Sequence, residues 1–151
     1  MPVFVHSRVR HVLIREAVVR RVVQKLLASV GEAASEISIE FVGDTRMRRL
    51  NRDFRQKDRT TDVLAFACRE AGGPESPMLG DVVVSVPTAK RQAVSLGHSL
   101  NEELVRLLVH GLLHVVGYDH ERGEKEARRM RGKAEKLFEA LKPLPKLVAR
   151  S

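Results

Sequence analysis

The sequence contains no tryptophan, one tyrosine and five phenylalanines, so aromatic residues make up only 4% of it. Platforms on which nucleobases could stack are scarce, and little base sequence should be read. A single cysteine, Cys68, excludes an intrachain disulfide. With Met1 to Phe4 unlike a charged-then-apolar leader, it points to a reducing, cytoplasmic setting. No apolar run approaches the roughly 20 residues that cross a bilayer, which argues against a membrane protein. Six prolines and ten glycines, with no serine-rich or single-residue tract, leave no stretch that resembles a linker or a disordered arm. The 151 residues, 43% of them hydrophobic, suffice for one core, so one domain over 1–151 is expected.

Acidic residues are also in deficit, 19 against 27 Lys and Arg, for a formal charge of +8. A basic chain of this size tends to meet polyanions. The excess lies in residues 1–30, 44–62 and 121–151, whereas 63–120 holds four basic and six acidic groups. Charge on helix faces is often only solvation, so this alone does not settle a partner.

Val3 to His6 alternates like a short strand, and an apolar stripe from Val9 to Val30 predicts a helix stopped by Gly31. Glu36 to Val42 alternates as a strand with one wet face. Asp44 is placed to cap a helix from Thr45 to about Arg55. Thr61 to Ala67 and Gly80 to Val86 read as strands, the second with valines buried on both sides. Pro87 opens a helix to Leu96, closed by Gly97. Ser99 and Glu102 form a capping-box signature for a helix to about Val116, apolar almost all round and therefore central. Glu124 to Leu141 is a last, charged helix, with Pro143 and Pro145 breaking the tail. The order predicts an α+β domain: a mixed sheet of about four strands covered by helices.

Three of the six histidines, His110, His114 and His120, fall within eleven residues. The first two stand four apart on the central helix, so their imidazoles leave one face and can share a metal. Gly117 permits a chain reversal that can return His120 toward them. Three imidazoles and an open position are a catalytic zinc pattern. The plainer alternative is core histidines satisfied by hydrogen bonds, but two imidazoles on the most apolar helix need partners. The spacing matches the long zinc-peptidase signature of the metzincins, except that Gly111 stands where those peptidases carry their acid–base glutamate. Asp119, the nearest carboxylate, suits a supporting hydrogen bond better than catalysis.

A second segment, Asn51 to Phe66, places Arg52, Arg55, Lys57 and Arg59 at an exit from helix to strand. It is either a solvated turn or, if Arg55 faces the metal, a phosphate clamp, for which a planar guanidinium is suited.

Together these segments resemble the YbeY family of metal-dependent endoribonucleases. The likeness rests on Leu50 and Asn51 with Arg55 to Asp58, on Thr61 to Phe66, on Leu79 to Ser85, and on the histidine segment through Gly117, Tyr118, Asp119 and His120. Gly111, which defeats the peptidase reading, is the family's residue there. Thr60, Ala65 and Ala67 depart from its usual proline, serine and proline. The resemblance implies that His110, His114 and His120 ligate one metal ion, zinc or another divalent transition metal, and that Arg55 is the basic residue of the active cleft. It also implies single-stranded RNA and ribosomal RNA as substrates, association with the ribosome or its proteins, and work in ribosomal RNA maturation and quality control. The expected activity is hydrolysis of RNA phosphodiester bonds. The rivals are a metal-dependent peptidase, disfavoured by Gly111, and a non-catalytic ribosome assembly factor with a structural metal.

Overall fold

The computed structural model describes residues 3–68, 77–118 and 122–150. Among these residues the order is β1 (Val3–Ser7), β2 (Leu13–Ile14), α1 (Glu16–Ser29), β3 (Glu36–Val42), α2 (Asp44–Arg55), β4 (Val63–Ala67), β5 (Met78–Ser85), α3 (Val86–Leu96), α4 (Leu100–Val115), α5 (Glu124–Ala140) and β6 (Val148–Arg150). β1, β3 and β5 run parallel, and β4 lies antiparallel along β5, giving a four-stranded sheet in the order β1-β3-β5-β4. This is the expected mixed sheet of an α+β protein.

Alternation along the strands sorts side chains onto two faces. Ile37, Ile39 and Phe41 of β3, with Val82 and Val84 of β5, enter the main core beneath α1 and α4. Val42, Val83 and Leu64 face the other way and meet Met47 of α2 in a smaller cluster. The valines of β5 are therefore buried on both sides. α4 packs on β4 and β5 and is itself flanked by α3 and α5. Its leucines 104, 107, 108, 112 and 113 are all buried, each contributing about 1.5–3 kcal/mol relative to exposure. Ser99 caps α4 by accepting from the Glu102 amide at 3.0 Å. Ser85 and Pro87 open α3, which Gly97 closes in a left-handed turn at φ 76°.

Two local expectations give way to tertiary pairing. The stripe from Val9 is helical only from Glu16, because Leu13–Ile14 pair antiparallel with Val148–Arg150. Val12 and Ile14 are buried on either side of an exposed Leu13, a two-residue period that the following helical stripe masks. The tail is held there by Asn101, whose side chain donates to the Pro145 carbonyl and accepts from the Leu147 amide. Asp44 does not cap α2: Gly43 holds that position without a side-chain bond. Among the described residues no helix is long and apolar enough to cross a membrane.

Candidate active site

The chemistry-bearing end of α4 is set by how closely it approaches the sheet. A Cβ built on Gly111 would lie 2.6 Å from Val82 Cγ1 and 3.3 Å from Val63 Cγ2, and one on Gly80 would collide with the Phe66 carbonyl and Val115. Positions 111 and 115 thus form one line of contact with the sheet. Each immediately follows a histidine, so the helical rotation between neighbours carries His110 and His114 off that line. Both line a cleft at the β4 edge of the sheet. His98 contrasts with them: it meets the buried Glu103 at 2.6 Å and is satisfied in the plain way.

The opposite wall comes from the end of α2. Gln56 adopts a left-handed conformation at φ 57° and turns the chain out of the helix immediately after Arg55. Arg55 donates to the Ala65 carbonyl at 2.6 Å, and its guanidinium carbon stands 5.1 Å from the centre of the Phe66 ring. Ala65 lies on the edge strand β4, so an outward carbonyl is available to orient the arginine. The basic exit loop is built as well. Asn51, buried within α2, donates to the Arg59 carbonyl at 2.9 Å, and Arg48 pairs with Asp58 through two contacts of 2.9 and 3.3 Å.

Two lobes sharing Arg55, Ala65 and His114 make up the cleft. One is walled further by Phe66, Gly117, Tyr118 and Arg122, the other by Lys57, Arg59, Thr61 and His110. Volumes of about 280 and 370 Å³ suit a short stretch of an extended chain. Four cations and no carboxylate line it among the described residues, so the field favours an anion.

Arg55, His110 and His114 thus line one cleft. His120 and Asp119 lie outside the described residues. Among the described residues no three His, Cys, Asp or Glu side chains gather as a metal group. The donor pair itself fits a metal: two imidazoles four residues apart on a rigid helix, opening into a polar cleft, match nitrogen-ligand chemistry typical of zinc. Cys68 fits less well. Burial, together with the nearby Asp81 carboxylate, pushes its thiol pKa up, and only the thiolate is a good ligand or nucleophile.

Sequence reasoning missed a hub beside this cleft. Asp44 accepts from the hydroxyls of Thr60 at 2.9 Å, Ser85 at 2.6 Å and Thr88 at 2.6 Å, and from Arg91 at 2.8 Å. Burial would raise its pKa, but the bonds from Ser85, Thr88, Arg91 and Thr60 outweigh that and hold it at about 2. The carboxylate fastens the basic loop to the start of α3. Thr60 supplies one of these bonds from within the basic loop. The available signal was the clustering of hydroxyl residues at 60–61 and 85–88, which acquires meaning only in three dimensions.

Comparison with known proteins places the whole chain rather than any one residue. A family model described as Endoribonuclease YbeY matches residues 6–142. The chain is 43% identical over 144 residues to Endoribonuclease YbeY of Geobacter metallireducens, spanning 93% of this chain and 96% of that protein. It is 44% identical over 146 residues to the protein of the same name from Pelotomaculum thermopropionicum, spanning 91% and 95%. The solution structure of a Thermotoga maritima protein superposes with a TM-score of 0.63 at 24% identity, over 91% of this chain and 87% of that one, and shows the same fold. A match over most of the length, including the helix of His110 and His114 and the exit loop of Arg55, places this chain in the YbeY endoribonuclease family.

Proposed function

We propose that this protein is a single-strand-specific endoribonuclease that hydrolyses RNA phosphodiester bonds with one divalent metal ion, zinc by preference. In this reading it acts in the cytoplasm on ribosomal RNA, in maturation and quality control at the ribosome. The observation that carries the reading is the meeting of Arg55 with His110 and His114 in a cleft whose described lining has cations and no carboxylate. That lining is suited to a phosphodiester chain.

His110 and His114 would hold the metal, with His120 as the third ligand. When bound, zinc lowers the pKa of a coordinated water to about 7 and so supplies a nucleophile near neutrality. Arg55 grips two non-bridging phosphate oxygens with its planar fork and offsets the negative charge that grows there during displacement. The Ala65 carbonyl fixes that fork before substrate arrives, so little ordering remains to be done on binding. Lys57, Arg59 and Arg122 draw the flanking phosphates in, an attraction that falls steeply with salt. The peptidase alternative lacks its acid–base glutamate at position 111, where any side chain would collide with Val82 and press on Val63.

The test is cleavage of an end-labelled single-stranded oligoribonucleotide by the purified protein, with chelator and then with zinc restored. Cleavage should vanish with chelator and return with zinc. His114→Ala should lose bound metal and cleavage together while keeping its circular dichroism. Cutting that persists in chelator, or full metal occupancy in His114→Ala, overturns the reading.

A further inference from the structure

Six aromatic residues are few, yet half of them gather at the cleft. Phe66 and Tyr118 line the lobe that also contains Gly117 and Arg122. Phe54 stands against Phe66 with ring centroids 5.6 Å apart and planes inclined by 68°. Along the apolar stripe of α2, Met47 is fully buried whereas Phe54, two turns later, is 62% exposed. The last aromatic ring of the helix is thus braced by Phe66 yet largely open to solvent. An exposed phenyl ring forgoes more apolar burial than almost any other side chain would.

Its neighbourhood shows what could cover it. Arg55 is the next residue, with its guanidinium stacked near the same Phe66 ring, and Arg52 and Lys57 flank the helix end. An apolar ring beside phosphate-binding cations matches the two halves of a nucleotide, a flat base and an anionic backbone.

We propose that Phe54, braced by Phe66, is a stacking surface for one unpaired base of the strand whose phosphate Arg55 holds. This deepens the endoribonuclease reading and rests on it. Cations alone do not distinguish single from double strands, since both are polyanions. A stacking ring does, because a base inside an A-form duplex has both faces covered by its neighbours, whereas an unpaired base can leave the stack. Stacking on a phenyl ring accepts any base, so selection falls on strandedness rather than on sequence.

The test is binding in the presence of chelator, so that nothing is cut and failure of the metal chemistry cannot imitate failure of stacking. The ligands are a single-stranded oligouridylate and the same backbone carrying abasic spacers, which keeps the charge and removes the bases. Wild type should bind the oligouridylate more tightly, and Phe54→Leu should lose roughly five- to a hundredfold of that affinity while binding the abasic strand as wild type does. Because the sequence contains no tryptophan, Phe54→Trp adds a single fluorophore that keeps a stacking face. Its emission should be quenched by oligouridylate and not by the abasic strand. Equal oligouridylate affinity in wild type and Phe54→Leu overturns the stacking proposal and leaves the endoribonuclease reading standing. Failure of wild type to bind either strand overturns both.

Discussion

Gly111 and Val82 are so close that a methyl group on the glycine would lie 2.6 Å from Val82 Cγ1. The helix bearing His110 and His114 therefore rests on the sheet at a point where only hydrogen fits. Alanine in a helix interior is otherwise favoured over glycine by about 0.5–1 kcal/mol. Here overpacking against a stiff β-branched side chain, costing about 1–3 kcal/mol, should win. Gly111→Ala is expected to melt several degrees lower, and adding Val82→Ala should cost less than the sum of the two single changes. A raised melting temperature in Gly111→Ala would show that the helix can lift without loss.

Arg55→Lys should keep the fold and the metal and lose cleavage by about a hundredfold. Lysine retains the charge but neither the two-pronged grip nor the fixed geometry set by the Ala65 carbonyl. Single-turnover rates with wild type and variant, both at saturating RNA, decide it. Near-normal rates would reduce Arg55 to a contributor of bulk charge.

Asp44 gives the stability a specific pH dependence. Its folded-state pKa of about 2 lies below the ordinary 3.8, so the unfolded chain takes up the proton first as pH falls. The stability it supplies is complete above about pH 5 and drains away as pH drops through 4 toward 2. Allowing for solvent screening at a partly exposed carboxylate, this amounts to roughly 1–2 kcal/mol. Denaturation of Asp44→Asn should show that deficit at pH 7 and converge on wild type near pH 2. A constant gap across that range would refute the assignment.

The end groups left on RNA distinguish water from the substrate's own 2′-hydroxyl as the attacking group. No carboxylate lines the described cleft to deprotonate a ribose hydroxyl. A 2′-deoxy substitution just upstream of the cut should therefore still permit cleavage, and no cyclic phosphate should form. Complete protection, with cyclic phosphate on unmodified RNA, would replace hydrolysis by internal transesterification.

Short-range patterns reached the fold where the chain's own periodicity decides it. The strand from Glu36 to Val42 has the predicted bounds because its alternation is strict and Asp44 begins a helix directly after Gly43. The pairing of Leu13 with Arg150 was illegible, since neither segment specifies a strand until the other lies beside it. At the site, the spacing of His110 and His114 is a property of one helix and could be read in advance. That Arg55 faces them depends on the left-handed Gln56 and on a carbonyl from another strand, which no local pattern encodes. The Asp44 hub is hidden for the same reason: its four donors lie 16 to 47 residues away along the chain.

The exposed side of β4 has a further meaning for the protein's life at high concentration. A sheet edge with unmet backbone carbonyls invites a strand from another molecule to add to it. Here the Ala65 carbonyl is already engaged by Arg55, so the arginine that shapes the cleft also blunts the edge. If Arg55 also grips phosphate as proposed, colloidal behaviour and catalysis share one side chain, and variants that free this edge should be the ones that aggregate during purification.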